Sequence, residues 1–246
     1  MDDSDLPAVL VLHGLGGGPY ELQPLIDGLR ASGRRLQAPT LPGHEGEGPV
    51  MPASTWVEWT HAAESRFDDL ASTGRPVAVV GFSTGAVVAL HLATRRPVER
   101  LALIAPFFAI RYTGRLPFRA GPVVRALAVI APNVRRRPPA VRDPDARRRL
   151  AALDRFRTFS LSAAASALEL IEAVEPALPM IVAPTLIVQG ALDTVVEPSR
   201  ARWLLDRLGS ARKRLVTLDA SDHLAFHDRD RDRALAEVVG FLNEDL

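Results

Sequence analysis

Four short runs of this chain are almost continuously apolar: AVLVL at 8–12, VAVVG at 77–81, RLALIA at 100–105 and TLIVQG at 185–190. They have the length of strands and are rich in β-branched and aliphatic residues. They lack the every-second-residue polarity of a strand with one face in water, so each must be buried on both faces. Longer stretches with helical spacing lie between and after them, at 20–31, 54–70, 84–95, 198–208 and 231 to about 243. Ser54 or Thr55 can cap the second of these. A weaker run, RLQAP at 35–39, and RLVTL at 214–218 complete the series. Buried strands alternating with helices predict an α/β fold, with a mostly parallel central sheet and helices on both faces. At 246 residues and 47% hydrophobic, the chain can bury one such core.

The alternation breaks between Phe107 and Ala183, where no convincing strand is read. Prolines punctuate the segment, and a helical stretch, SLSAAASALELIEAV, closes it at 160–174. Residues 111–160 hold 13 Arg against three Asp, a net of +10 in a chain whose total is +1. The expected organisation is a core of 1–106 and 181–246, with 107–180 inserted between late strands as a helical cap and returning helix. Two readings of the arginines stay open: a solvated, Arg-biased excursion, or a surface attracting an anionic substrate or weakly contacting a membrane.

Composition removes several chemistries. There is no cysteine, so thiol catalysis, disulfides and Cys-based zinc sites are out. The one lysine, Lys213, stands before a strand and outside any motif, which argues against Ser–Lys catalysis, Schiff bases and a phosphate loop. A net charge of +1 gives the chain as a whole no attraction to nucleic acid. The acidic N-terminus and the lack of any apolar run near 18 residues predict a cytoplasmic protein without a membrane span. No His-based ligand spacing occurs, so neither metal nor cofactor is expected.

One corner carries a polar residue that a buried strand and helix do not need. VVGFSTGAVV puts Ser83 between Gly81 and Gly85, with a strand before it and a helix after it. This is the setting of a nucleophile elbow: the sharp turn strains the serine backbone, and side chains at the two glycines would collide with neighbours. Serine needs a base, and the base needs a carboxylate to orient it. The elbow architecture orders these as Ser, acid, His. Asp193 follows the strand TLIVQG, and His223 follows RLVTL, both at carboxyl ends of strands where open α/β sheets place their sites. Asp219 and Asp222 are rival acids but share the histidine's own loop. Two backbone N–H groups must receive the oxyanion: Thr84, after the nucleophile, and Leu15 in the loop LHGLGGGP.

That loop also begins like a dinucleotide fingerprint, but Pro19 stands where a third glycine belongs, and RLQAP ends without the acid that would meet a ribose. His13 is read as structural in its His-Gly turn, His44 as bonding the loop that lines the site, His61 and His91 as ordinary helix residues, and His227 as facing solvent.

LHGLGGGP, LPGHEGEG, GFSTG, PTLIVQGALDTVVEP and SDHL, in that order, resemble the serine hydrolases of the α/β-hydrolase fold. Among these the chain is similar to small bacterial carboxylesterases and monoacylglycerol lipases, over roughly 8–106 and 160–245. The resemblance implies Ser83 as nucleophile, Asp193 as acid, His223 as base, and the Leu15 and Thr84 amides as oxyanion hole. It implies cleavage of short- to medium-chain acyl esters or monoacylglycerols through an acyl-enzyme. Thioester, lactone or carbon–carbon hydrolysis on the same triad, or a slow-turnover ligand receptor, are the alternatives. Phe107, Phe108, Ile110, Leu127 and Ile130 are expected to line the acyl pocket. Oligomeric state is not legible.

Overall fold

Six strands form one parallel sheet in the computed structural model, which describes residues 6–46, 48–109, 120–153 and 156–244. They are β1 (Ala8–Leu12), β2 (Leu36–Gln37), β3 (Val77–Phe82), β4 (Leu101–Ile104), β7 (Thr185–Gly190) and β8 (Lys213–Leu218). Their order across the sheet is β2-β1-β3-β4-β7-β8. Val9, Ala78, Ala102 and Leu186 point to one side of it, and Leu10, Val79, Leu103 and Ile187 to the other, all fully buried. This is why the strands read as continuous apolar runs: each alternate residue has its own core to enter.

Two layers of helix cover the faces. On one side lie α2 (Trp56–Ala71), α3 (Thr84–Ala93), α6 (Leu161–Val174) and α7 (Ser199–Arg207), with Trp59, Phe67, Leu170 and Leu204 turned inward. On the other lie α1 (Gln23–Ala31) and α8 (Arg231–Asn243), through Leu25, Ile26, Leu29, Val238 and Phe241. Thr55, not Ser54, caps α2. Its hydroxyl accepts from the Glu58 N–H at 3.4 Å, and the Glu58 carboxylate accepts from the Thr55 N–H at 2.7 Å, a reciprocal capping box. Ser54 instead accepts from the Trp59 indole.

Between β4 and β7 the sequence reading needs correction. Two short strands are present, β5 (Asn133–Arg135) and β6 (Thr158–Ser160), paired antiparallel with Val134 opposite Phe159. Three residues are too few to display a period. The helices α4 (Ala120–Ile130) and α5 (Pro144–Leu153) supply the helical part of the expected cap, with bounds that the sequence reading does not give. Through Val141, Ala146 and Leu150 this segment joins the same buried cluster as α1 and α8. The run at 35–39 forms only the two-residue β2. Among the described residues, no helix is long and apolar enough to cross a membrane.

Candidate active site

Ser83 sits at the end of β3 with φ 54° and ψ −117°, a conformation that an L-residue adopts only when its surroundings enforce it. A Cβ on Gly81 would fall 2.5 Å from the Ala86 Cα, and one on Gly85 2.4 Å from the Leu12 carbonyl oxygen. The two glycines let the corner close against α3 and β1, and the corner lifts the serine to the carboxyl edge of the sheet. The Ser83 N–H donates to the Ile104 carbonyl, and its own carbonyl accepts from the Phe107 N–H at 3.2 Å.

From there a relay runs inward. The Ser83 hydroxyl donates to His223 Nε2 at 3.1 Å, and His223 Nδ1–H donates to Asp193 Oδ2 at 2.8 Å. This assignment of the ring proton is the one that lets both contacts form. Asp193 is fully buried and receives further bonds from Gln189 Nε2 at 2.9 Å and from the Val195 and Val196 amides at 2.8 and 2.9 Å. Burial alone would raise its carboxyl, but His223 and these amides outweigh it and hold the pKa below the ordinary carboxylate value. Burial likewise pushes the His223 imidazole down. Asp193 opposes this, with Glu21 and Asp222 helping, and the pKa ends above the ordinary imidazole value. The Phe82 ring packs against the imidazole at 4.9 Å between centroids. The rival acids are engaged elsewhere. Asp222 accepts from the Thr194 and His223 amides, and Asp219 faces solvent beside Arg233.

The loop after β1 comes up against this serine: a Cβ on Gly14 would lie 3.1 Å from the Ser83 Cβ. Leu15 follows Gly14, and Thr84 opens α3 directly after Ser83, so both residues lie on segments adjoining that serine. Two histidines brace the loop. His13 Nε2 accepts from the Leu41 N–H and His44 Nε2 from the Gly16 N–H, both at 2.9 Å. Burial, reinforced by its neighbour His44, drives the His13 pKa down to about 3, and burial lowers His44 as well. Both rings are therefore neutral, each with a nitrogen lone pair for a backbone amide. His227, expected in solvent, is half-buried and donates to the Tyr20 carbonyl at 3.2 Å.

The apolar pocket residues fare differently. Phe107 lies next to the elbow, while Phe108 is buried against Trp203, 5.8 Å between centroids. Leu127 is half exposed and Ile130 is 83% exposed, so α4 turns them to solvent rather than into an enclosed pocket. Ile110 lies outside the described residues. The cavity beside the loop, about 250 Å³, is bordered instead by Gly16 to Tyr20, Thr40, His44 and Phe156. Sequence reasoning missed Gln189, Glu21, Arg136 and Asp228, all close to this centre. Only Gln189, four residues before Asp193, had a local signal.

The family description "Serine aminopeptidase, S33" matches residues 4–230. A pimeloyl-[acyl-carrier protein] methyl ester esterase from Aromatoleum aromaticum is 32% identical, covering 93% of this chain and 96% of that one. A thermostable monoacylglycerol lipase from Bacillus sp. strain H-257 is 27% identical over 95% of this chain and 89% of its own. Among solved structures, the monoacylglycerol lipase of Paleococcus ferrophilus superposes with a TM-score of 0.80 at 22% identity, covering 96% and 95% of the two chains. This last likeness concerns the α/β-hydrolase fold.

Proposed function

The chain belongs to the serine aminopeptidase S33 family of α/β-hydrolase-fold serine hydrolases, and we propose that it cleaves small carboxylic esters through an acyl-enzyme. The observation that carries this is the 3.1 Å and 2.8 Å relay from Ser83 through His223 to Asp193, on a serine whose backbone is strained at φ 54°. In this reading His223 takes the Ser83 proton as Oγ attacks the ester carbonyl. The Leu15 and Thr84 amides receive the developing oxyanion, each donor being worth about 10²–10³ in rate. His223 returns the proton to the leaving alcohol and then activates water, while Asp193 fixes its tautomer.

The curated relatives act on a methyl ester and on monoacylglycerols, both esters of small alcohols. A cavity of about 250 Å³ beside the oxyanion loop suits a small alcohol or a short acyl chain and is too small for a triglyceride. In this proposal 107–180 is a cap insertion together with its returning helix α6, set between core segments 1–106 and 181–246.

The test is hydrolysis of p-nitrophenyl esters of graded chain length and of monoacylglycerols, with an aminoacyl anilide as comparison, by the native chain and by Ser83→Ala. Turnover of the esters lost by about 10⁴-fold or more in the variant is expected. Ester turnover surviving in Ser83→Ala overturns the mechanism. Preference for the anilide replaces the ester reading with a peptidase one.

A further inference from the structure

Gly16 stands one residue past Leu15, and both of its backbone polar groups are held from outside the loop. Its N–H donates to His44 Nε2 at 2.9 Å. Its carbonyl accepts from Arg136 Nη1. Arg136 belongs to the inserted segment, directly after β5, and its own N–H donates to the Arg157 carbonyl at 2.9 Å, on the arm leading into β6. A second hairpin residue presses on the same glycine: a Cβ on Gly16 would fall 3.1 Å from the Phe159 ring. The arginine is set in place in turn. Its side chain is 18% exposed, and Nη2 lies 3.9 Å from the carboxylate of buried Glu21, whose oxygens occupy the space a Gly17 side chain would need.

Gly16 has φ +75° and no Cβ to resist rotation, so the peptide planes on either side of it turn easily unless something holds them. His44 holds the plane before it and Arg136 the plane after it. The Gly14–Leu15 amide is the next peptide upstream. We propose that Arg136 is a positioning residue for the reaction: from the cap hairpin it anchors the Gly16 carbonyl and so keeps the Leu15 amide aimed at the oxyanion above Ser83. The cap is then part of the catalytic geometry, joined to the oxyanion loop through the Arg136 guanidinium beside the Phe159 ring. The inference rests on the acyl-transfer reading, and its test separates the two.

Native protein, Ser83→Ala, Arg136→Ala and Arg136→Lys are compared for kcat and KM on p-nitrophenyl butyrate, for melting temperature, and for affinity toward an alkyl trifluoromethyl ketone. The ketone bonds its carbonyl carbon to Ser83 Oγ, the serine proton passes to His223, and the alkoxide oxygen enters the oxyanion hole. Because a whole oxyanion donor is worth about 10²–10³, a misaimed one should lower kcat and ketone affinity together by about 10- to 100-fold in Arg136→Ala. KM should stay within about twofold, Arg136→Lys should fall between, and added ethylguanidinium should restore part of the lost kcat. A kcat within about twofold of native, or a raised KM with unchanged kcat, overturns the positioning role while an inert Ser83→Ala leaves the hydrolase reading intact. Activity in Ser83→Ala removes both. Should Arg136→Ala fail to fold, Arg136→Lys is judged by the same criteria.

Discussion

Asp193 accepts at least four hydrogen bonds, and their effect reaches Ser83 through a single imidazole. In the proposed mechanism His223 must be neutral to take a proton, and its pKa is raised above the ordinary 6.5 because Asp193 outweighs the effect of burial. As pH falls through that raised value, His223 becomes cationic and activity is lost. The pH profile of kcat/KM should therefore rise to a plateau with an acid-limb pKa above 6.5. A limb below that value would contradict the relay. Asp193→Asn removes the opposing charge and leaves burial in control, so the limb should move to lower pH while kcat drops by about 10⁴-fold. Ser83, Asp193 and His223 could be read from the sequence because each follows a recognisable strand. Glu21 and Arg136 could not, since they meet only after the 114 residues between them have folded back. Asp228 had no flanking pattern at all.

The corner between β3 and α3 was legible because its glycines answer a local need. A Cβ 2.4 Å from the Leu12 carbonyl cannot be absorbed by a flexible side chain, since its neighbour is strand backbone. Gly85→Ala should push α3 away from β1 and destabilise the protein by about 1–3 kcal/mol, lowering the melting temperature by several degrees in a thermal scan. An unchanged scan would mean the elbow has slack that its geometry denies. At the other end of the site, buried Asp228 accepts from the Arg142 and Asp222 amides through Oδ2, at 2.7 and 2.8 Å, and from the Asp143 and Arg229 amides through Oδ1, at 3.0 and 2.9 Å. One carboxylate thus ties the start of α5 to the loop that carries His223. Each buried amide left unpaired costs about 1–3 kcal/mol, so Asp228→Ala should lower the melting temperature by about 10 °C and reduce kcat as the histidine loop loosens. A melting point within about 2 °C of native would show that water replaces the carboxylate without loss.

Across the whole molecule, legibility follows burial. The strands β1, β3, β4 and β7 are buried on both sides and so are plain in their composition, whereas the edge strand β8 is only partly buried and the run at 35–39 shrinks to the two-residue β2. The inserted segment buries only a stripe: Ala146 and Leu150 of α5 enter the core, while Arg147, Arg148 and Arg149 between them are exposed and mask the period. Its strands, three residues each, carry no period to mask. What the sequence did announce about this segment was charge, a net of +10 over 111–160, and the structure turns Arg135, Arg137 and Arg157 outward along the hairpin that carries Arg136 and Phe159. A field of that sign beside the oxyanion loop should draw an anionic ester toward Ser83, whereas a solvated, functionally silent face should not distinguish charge. Between about 0.01 M and 1 M salt the screening length falls from about 30 Å to about 3 Å. With p-nitrophenyl esters of equal length, one ending in a carboxylate and one in a methyl group, kcat/KM for the anion should fall by about threefold or more over this range while the neutral ester holds steady. Parallel, flat responses would assign the arginines to solvation. A fall for the anion alone would make the insertion an electrostatic funnel as well as the anchor of the oxyanion loop, two roles that one hairpin can fill because its arginines face both ways.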